Sequence, residues 1–422
     1  MTRIKAATSE TFRSFRVRNF RVFFVGQAIS QVGTWLQFIA QALLVLKLTD
    51  SGVALGLVTA FQFLPVLVFG AWAGVISDRV DKRKLMLATQ AAMMVFALVL
   101  GVFVLSGHIT VAGVYVLAVL TGTANAFDNP SRRVVITELV PESEMANAVS
   151  LNSALITGSR VVGPATAAWL INSVGIGWCF IANSASFVAM LIALVMIDGD
   201  ELYVNERIEK KKGQIAEGFR YVWANPDLRL AMVLMGVVAT LSFNWQVLLP
   251  LLAEHELHGN DNTYAFITTV FSVGSLAGSL LIARRTSMDN RLLARACVGL
   301  GISSLLVAVA PTPVTAGLAG ALAGATGIAF LSATMTALQL NSVPSMRGRV
   351  MALYTILFLG STPFGGPLAG WLAQVYGTRL SIAVGAVAAL TSGFAGLVVL
   401  RQRALRRGFA FEPTPAALEA AA

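Results

Sequence analysis

Charge is what this sequence is short of. Only 12% of its 422 residues are Asp, Glu, Lys or Arg, about half the ~25% of an ordinary soluble domain. A soluble chain this long buries several cores and still needs a polar surface over them. There are too few charges to make one, which excludes a soluble enzyme and a disordered scaffold. Cysteine is almost absent: Cys179 and Cys297 both sit in apolar runs, so they define neither a disulfide framework nor a redox compartment. There are three histidines. His255-Glu-Leu-His258 lacks the His-Glu-x-x-His spacing and falls at a loop, and His108 is another loop residue, so no metal site is expected. No Gly-x-x-x-x-Gly-Lys-Ser/Thr loop occurs, which removes ATP as the evident energy source. No nucleophile–base pair stands in the apolar segments, so the chain is not expected to be an enzyme and needs no cofactor.

What is present is apolar sequence: 56% hydrophobic residues and a mean hydropathy of +0.74. A helix needs ~20 apolar residues to cross a bilayer. Segments of that length lie at 21–46, 53–76, 85–106, 111–135, 146–172, 177–197, 229–252, 264–283, 292–310, 314–338, 348–375 and 379–400. The first is too long for the apolar core of a cleaved signal and no small-residue cleavage site closes it, so it reads as an uncleaved span. Alternating the loops in and out puts 28 of the 31 basic residues on the inner side, with only Lys47 and Arg379 outside and Arg160 within a span. By the positive-inside rule both termini are cytoplasmic. The net charge of +10 is thereby spread over many short loops. It serves orientation and contact with anionic lipid heads rather than a nucleic-acid partner.

The longest polar segment lies near the middle, and Ile215, Phe219 and Val222 in it have helical spacing. Around it the halves repeat. Val140-Pro141 returns as Val343-Pro344, Gly163-Pro164 as Gly366-Pro367 and Ala73-Gly74 as Ala277-Gly278, at offsets of 203 to 204 residues, while Arg21 and Trp35 have counterparts in Arg229 and Trp245. The organisation expected is an all-α membrane protein of two pseudo-symmetric six-helix bundles. It comprises an N-terminal cytoplasmic segment (1–20), a first bundle (21–197), a linker with a surface helix (198–228), a second bundle (229–400) and a cytoplasmic tail (401–422). Such repeats place a substrate site between the halves at the membrane midplane.

Polar residues inside spans are costly unless they face protein or a water-filled cavity. In the first span Gln27, Ser30, Gln31, Thr34, Gln37 and Gln41 share one arc, flanked by Trp35. In the fourth, Thr121, Asn125, Asp128 and Arg132 align, and in the fifth Ser153, Thr157, Arg160 and Pro164. These make a candidate cavity lining of Gln27, Gln31, Thr34, Trp35, Gln37, Gln41, Asn125 and Thr157. Asp128 is the one acidic residue placed well inside a span. A carboxylate there must pair or take a proton. Asp128, with Arg132 one turn away and Arg160 on the next span within possible reach, is thus the candidate for proton coupling, against the plainer role of a fixed ion pair between the spans.

The loop after the second span, Gly74-Val-Ile-Ser-Asp78-Arg79-Val80-Asp81-Lys82-Arg83-Lys84, resembles the Gly-x-x-x-Asp-Arg-x-Gly-Arg-Arg/Lys signature of the major facilitator superfamily. Asp81 and Lys82 replace the second glycine and the arginine. The resemblance implies that Gly74, Asp78, Arg79 and Arg83 form a cytoplasmic gate. Gly158-Ser-Arg-Val-Val-Gly163-Pro164-Ala-Thr-Ala167-Ala168 is similar to the Gly-Pro signature of drug–proton antiporters, with alanines for its closing glycines. Here Gly158, Gly163 and Pro164, echoed by Gly366 and Pro367, would bend the helix. Phe127-Asp-Asn-Pro-Ser-Arg132, Glu138-Leu-Val-Pro141, Asn147-Ala-Val-Ser-Leu-Asn152 and Gly218-Phe-Arg-Tyr-Val resemble the branch of bacterial enterobactin exporters and macrolide efflux proteins. These resemblances imply a monomeric secondary transporter of a bacterial cytoplasmic membrane that exports drugs or siderophore-like metabolites by alternating access, with small-molecule substrate and protons as its partners. The alternatives are a nutrient or lysolipid facilitator of the same fold, or a non-transporting sensor or anchor.

Overall fold

The computed structural model describes residues 12–203, 214–283 and 290–409. Helices long and apolar enough to cross a membrane number twelve among the described residues. They are Arg18–Thr49, Gly52–Arg79, Lys82–Leu105, Val111–Glu138, Met145–Val174, Ile176–Met196, a seventh span made of pieces, Asp261–Ala283, Asn290–Val309, Pro313–Leu340, Pro344–Tyr376 and Thr378–Phe409. Each lies within a few residues of the segment expected from hydropathy. Their starts follow local chemistry. Ser51, Asp81 and Thr110 accept backbone N–H groups as N-caps, and Thr312 forms a capping box ahead of Pro313.

The first six spans pack together, the first against the fifth and sixth and the third and fourth between them; spans eight to twelve do the same with the seventh. Across the two sets, the second span meets the eleventh and the fifth meets the eighth. The linker helix Gln214–Ala224 lies on the second set: Glu217 pairs with Arg349 at 2.7 Å, the Tyr221 hydroxyl accepts from Val343 N, and Val222 is buried. Phe219 is instead exposed, stacked on Trp223, so the apolar spacing read there serves two surfaces. Three consecutive lysines of the linker, Lys210, Lys211 and Lys212, fall outside the described residues.

The seventh span is not one helix. Pro226–Val237 runs into a π turn, Val238–Ser242, then breaks at Phe243 and Asn244 before a short helix, Trp245–Leu251, and a second π turn, Leu252–Glu256. Such turns gather at functional sites. Asn244 Nδ2 donates to Thr240 O, and Phe243 N to Val238 O, so the break leaves these groups satisfied.

Among the described residues, the polar contacts between the halves gather at one face. Among the described residues, every hydrogen bond and ion pair between them lies opposite the linker: Lys47–Asp261 at 2.7 Å, His255–Asp50 at 2.9 Å, Gln374 with Ser51 and the Val53 amide, and Asn172 with Asn262. Beneath this latch the second and eleventh spans run backbone to backbone. A Cβ on Gly52 would sit 2.6 Å from Gly370 O, and one on Gly56 2.6 Å from Gly366 O. Small residues permit such an approach between helices in lipid. Gly56→Val is therefore expected to spread this face, at a cost of about 1–3 kcal/mol for overpacking. Double electron–electron resonance between spin labels at positions 49 and 376 should report a longer distance in the variant. An unchanged distance would show that the glycine contact does not hold the face shut.

Candidate functional site

The inward-facing polar stripes meet in two separate cavities. One, of ≈ 70 Å³, lies within the first six spans and is lined by Ser30, Gln31, Thr34, Gln37, Gln41, Gln62, Gln90, Asn125, Asp128 and Arg132, among others. At its base Asp128 is a hub. Its side chain is 1% exposed, and Arg132 reaches Oδ2 with Nη2 at 2.7 Å and Nε at 2.9 Å. Gln90 Nε2 lies 2.8 Å and Thr89 Oγ1 3.0 Å from Oδ1. Each carboxylate oxygen thus accepts twice, which offsets the loss of water around a buried charge. The partners come from the third and fourth spans, so the hub ties these helices together.

Two details make the hub convertible. Thr89 has one proton and a second acceptor, Met86 O, at 3.1 Å. Gln90 Oε1 is buried without a hydrogen-bond partner, so turning the amide over would present an acceptor to Asp128.

The second cavity, ≈ 110 Å³, lies between the halves. Trp35, Phe38 and Arg160 line it from the first six spans, and Phe243, Trp245, Tyr264 and Thr268 from the others. Arg160 is here, not with Asp128. Its guanidinium carbon stands 5.3 Å from the centroid of the Trp35 ring, and among the described residues it has no carboxylate partner. Gly163 lets Trp35 in: a Cβ there would overlap that of Trp35. Trp35 and Trp245, counterparts in the repeat, face this one cavity.

The first-span stripe therefore divides. Gln31, Thr34, Gln37 and Gln41 line the Asp128 cavity, with Gln37 accepting from Asn183 at 2.6 Å, while Trp35 turns to the other. Gln27 is 1% exposed and donates to Asn152 Oδ1 at 2.7 Å, a helix-to-helix bond rather than a cavity wall. Thr157 donates back to Ser153 O of its own helix.

Of the expected gate residues, Arg83 is held within the first half. Arg83 donates to the carbonyls of Leu194 and Val195, both at 2.6 Å, capping the sixth span, whose C-terminal carbonyls favour a cation. Lys82 pairs with Glu138 at 2.9 Å. Arg79 is exposed and Gly74 is helical; the side chain of Asp78 lies outside the described set. Asp81, where the signature has glycine, adopts φ −61° and accepts from the Arg83 and Lys84 amides. The turn needs no left-handed residue, and aspartate serves it as a cap. Pro164 and Pro367 both lie inside helices, and Gly366 sits against Gly56 at the glycine seam; Gly158 has open space around it.

Thr89, Gln90, Asn183, Trp245, Tyr264 and Thr268 were not among the residues expected from sequence. Gln90 was detectable as a lone amide in an apolar run, and Trp245 as the repeat of Trp35. Asp128→Ala should destabilise the protein by about 3–5 kcal/mol, because Arg132 is left as an uncompensated buried charge; Asp128→Asn retains acceptors for Gln90 and Thr89 and should lose less. Unfolding midpoints in detergent micelles measure both, and equal midpoints for the two variants would contradict the hub.

Comparison with known proteins agrees with this architecture. The transmembrane secretion effector family matches residues 9–408. The staphyloferrin A transporter of Staphylococcus aureus is 24% identical over 63% of this chain and 66% of its own length, just under two thirds. The macrolide efflux protein A of Streptococcus pyogenes is 23% identical over 88% of this chain and 93% of its own. The multidrug efflux pump Tap of Mycobacterium bovis is 27% identical over 90% and 92%. In fold, a bacterial homologue of the human lysosomal transporter Spinster superposes with a TM-score of 0.67 at 15% identity, over 91% of this chain and 95% of that one. Nucleoside transporter NupG gives 0.68 at 11%, over 90% and 99%. The chain is a membrane transporter and belongs to the transmembrane secretion effector family of the major facilitator superfamily.

Proposed function

We propose that the protein is a proton-coupled exporter of amphipathic small molecules, drugs or siderophore-like metabolites, in a bacterial cytoplasmic membrane. The observation that carries the reading is the arrangement of the halves: latched at one face, with a cavity between them lined from both. A rocking motion that broke this latch and closed the linker face would expose that cavity alternately to the two sides. The charge asymmetry assigns the linker face to the cytoplasm, so the arrangement described accepts substrate from inside. Basic residues at that face meet anionic lipid heads, and one chain carries both halves, so a monomer suffices. The relatives named as macrolide and multidrug efflux proteins, matched over nearly their whole length, support the direction.

Asp128 is the coupling group in this reading. Ionised, it holds Arg132 and the Gln90 amide. Protonated, it would release the Arg132 pair, while Thr89 turned to Met86 O and Gln90 offered its free Oε1. Both protonation states thus have a hydrogen-bonded arrangement, as a two-state element requires. Asp78, Arg79 and Arg83 would latch the cytoplasmic face in the alternate state.

Accumulation of a panel of dyes, antibiotics and siderophores in pump-deficient cells, with and without a protonophore, tests the reading. Expression should lower accumulation of at least one compound, the protonophore should restore it, and Asp128→Asn should abolish the effect at unchanged protein level. Protonophore-sensitive export by Asp128→Asn would remove Asp128 from the coupling. Equal accumulation with and without the protein across the panel would count against export.

A further inference from the structure

Among the described residues, six buried side-chain nitrogen or oxygen atoms lack a hydrogen-bond partner. Three belong to residues that line the cavity between the halves, Arg160 Nε from the first half and Trp245 Nε1 and Thr268 Oγ1 from the second. All three belong to donor groups, and Thr268 also interacts with the Tyr264 phenol. A buried donor without a partner is unfavourable, and an unpaired cation within a membrane span is more so. Three other basic residues of the spans are paired: Arg132 has Asp128, Lys82 has Glu138, Arg379 has Glu256. Among the described residues Arg160 has only the Trp35 ring. A ring over the guanidinium face offers cation–π attraction but leaves the N–H fork, in the plane of the group, free.

We infer that this cavity holds an anion-binding subsite, and that the substrate is an amphipathic organic anion whose carboxylate docks on Arg160. The inference rests on the reading that cargo occupies the cavity between the halves. The carboxylate takes the guanidinium fork in a planar, two-point contact and the Trp245 indole N–H from the opposing half. Thr268 lines the same cavity, and Phe38, Phe243 and Phe271 receive the apolar body. Because Arg160 and Trp245 belong to different halves, one anion bridges the two bodies that must move against each other. The same oxyanion chemistry is carried by a lipid phosphate; a free organic carboxylate is the occupant proposed.

The test is isothermal titration calorimetry on the purified full chain in uncharged detergent. Three probes share one body: naphthalene-2-carboxylate, its neutral amide, and naphthalen-2-ylmethylamine. The carboxylate should bind roughly tenfold or more tightly than the amide, the scale of a hydrogen bond to a charged group, and the amine most weakly. Arg160→Gln should bring the carboxylate down to the affinity of the amide, with the amide unchanged, and Arg160→Lys should restore part of the preference. Unchanged unfolding midpoints show that the variants are folded. A wild type that binds the amide or amine as well as the carboxylate, binds none of the three, or keeps its preference in Arg160→Gln overturns the subsite. Displacement of bound carboxylate by micromolar lysophosphatidylglycerol, but not by millimolar benzoate, overturns the free carboxylate as occupant. Binding needs no transport, so loss of energised efflux with the carboxylate preference intact would fault the export reading alone.

Discussion

Lipid offers no hydrogen bonds, and the rest of this structure follows from that. A polar or charged group placed inside a span must find its partner in the protein or face water. Here the constraint is met group by group. Asp128 accepts from Arg132, Gln90 and Thr89. Gln27 finds Asn152, and Gln37 finds Asn183. Ser77 pairs with Ser131, and Ser242 donates to Gly385 O. These bonds join neighbouring spans within a half and make each half one body. Two of the groups that escape the rule, Arg160 and Trp245, are at the boundary between the bodies, where a ligand rather than the protein would complete them.

The boundary itself is built differently. Glycine against backbone joins the second and eleventh spans, and a few exposed or half-exposed polar pairs close one face. Exposed ion pairs contribute about 0–1 kcal/mol each, far less than the buried hub. The contrast matters for motion: the interfaces within a half are costly to break, whereas the latch between halves is cheap. Alternating access needs that hierarchy, because a difference of a few kcal/mol must be reversible by substrate or proton.

Much of this was legible in the sequence. Twelve spans, their order and the repeat follow from hydropathy and from three dipeptides recurring at offsets of 203 to 204 residues, because membrane spanning is a property of ~20-residue averages. The same averaging hides the seventh span's break at Phe243 and Asn244: the segments that flank it, Val238–Ser242 and Trp245–Leu251, are predominantly apolar. Helical periodicity put Gln27, Gln31, Thr34 and Gln37 on one arc, and they are on one arc. Which of them meets a cavity and which a neighbouring helix depends on how the first span is rotated against the fifth and sixth, and sequence spacing carries no such information. Arg160 was visible as a charge in a span, but its place on the span after Asp128 suggested that carboxylate as its partner. Only the crossing of the first, fifth, seventh and eighth spans shows Trp35, Trp245 and Tyr264 around it.

The central claim is a division of labour: the Asp128 cavity handles the proton and the Arg160 cavity the cargo. A cryo-electron microscopy map of the protein with naphthalene-2-carboxylate bound, using an antibody fragment as fiducial, tests it most directly. The account predicts density for the carboxylate against the Arg160 guanidinium, between the Trp35 and Trp245 rings, with the Asp128–Arg132 pair undisturbed. Density instead in the Asp128 cavity, with Arg132 drawn from Asp128 to the ligand, would contradict it.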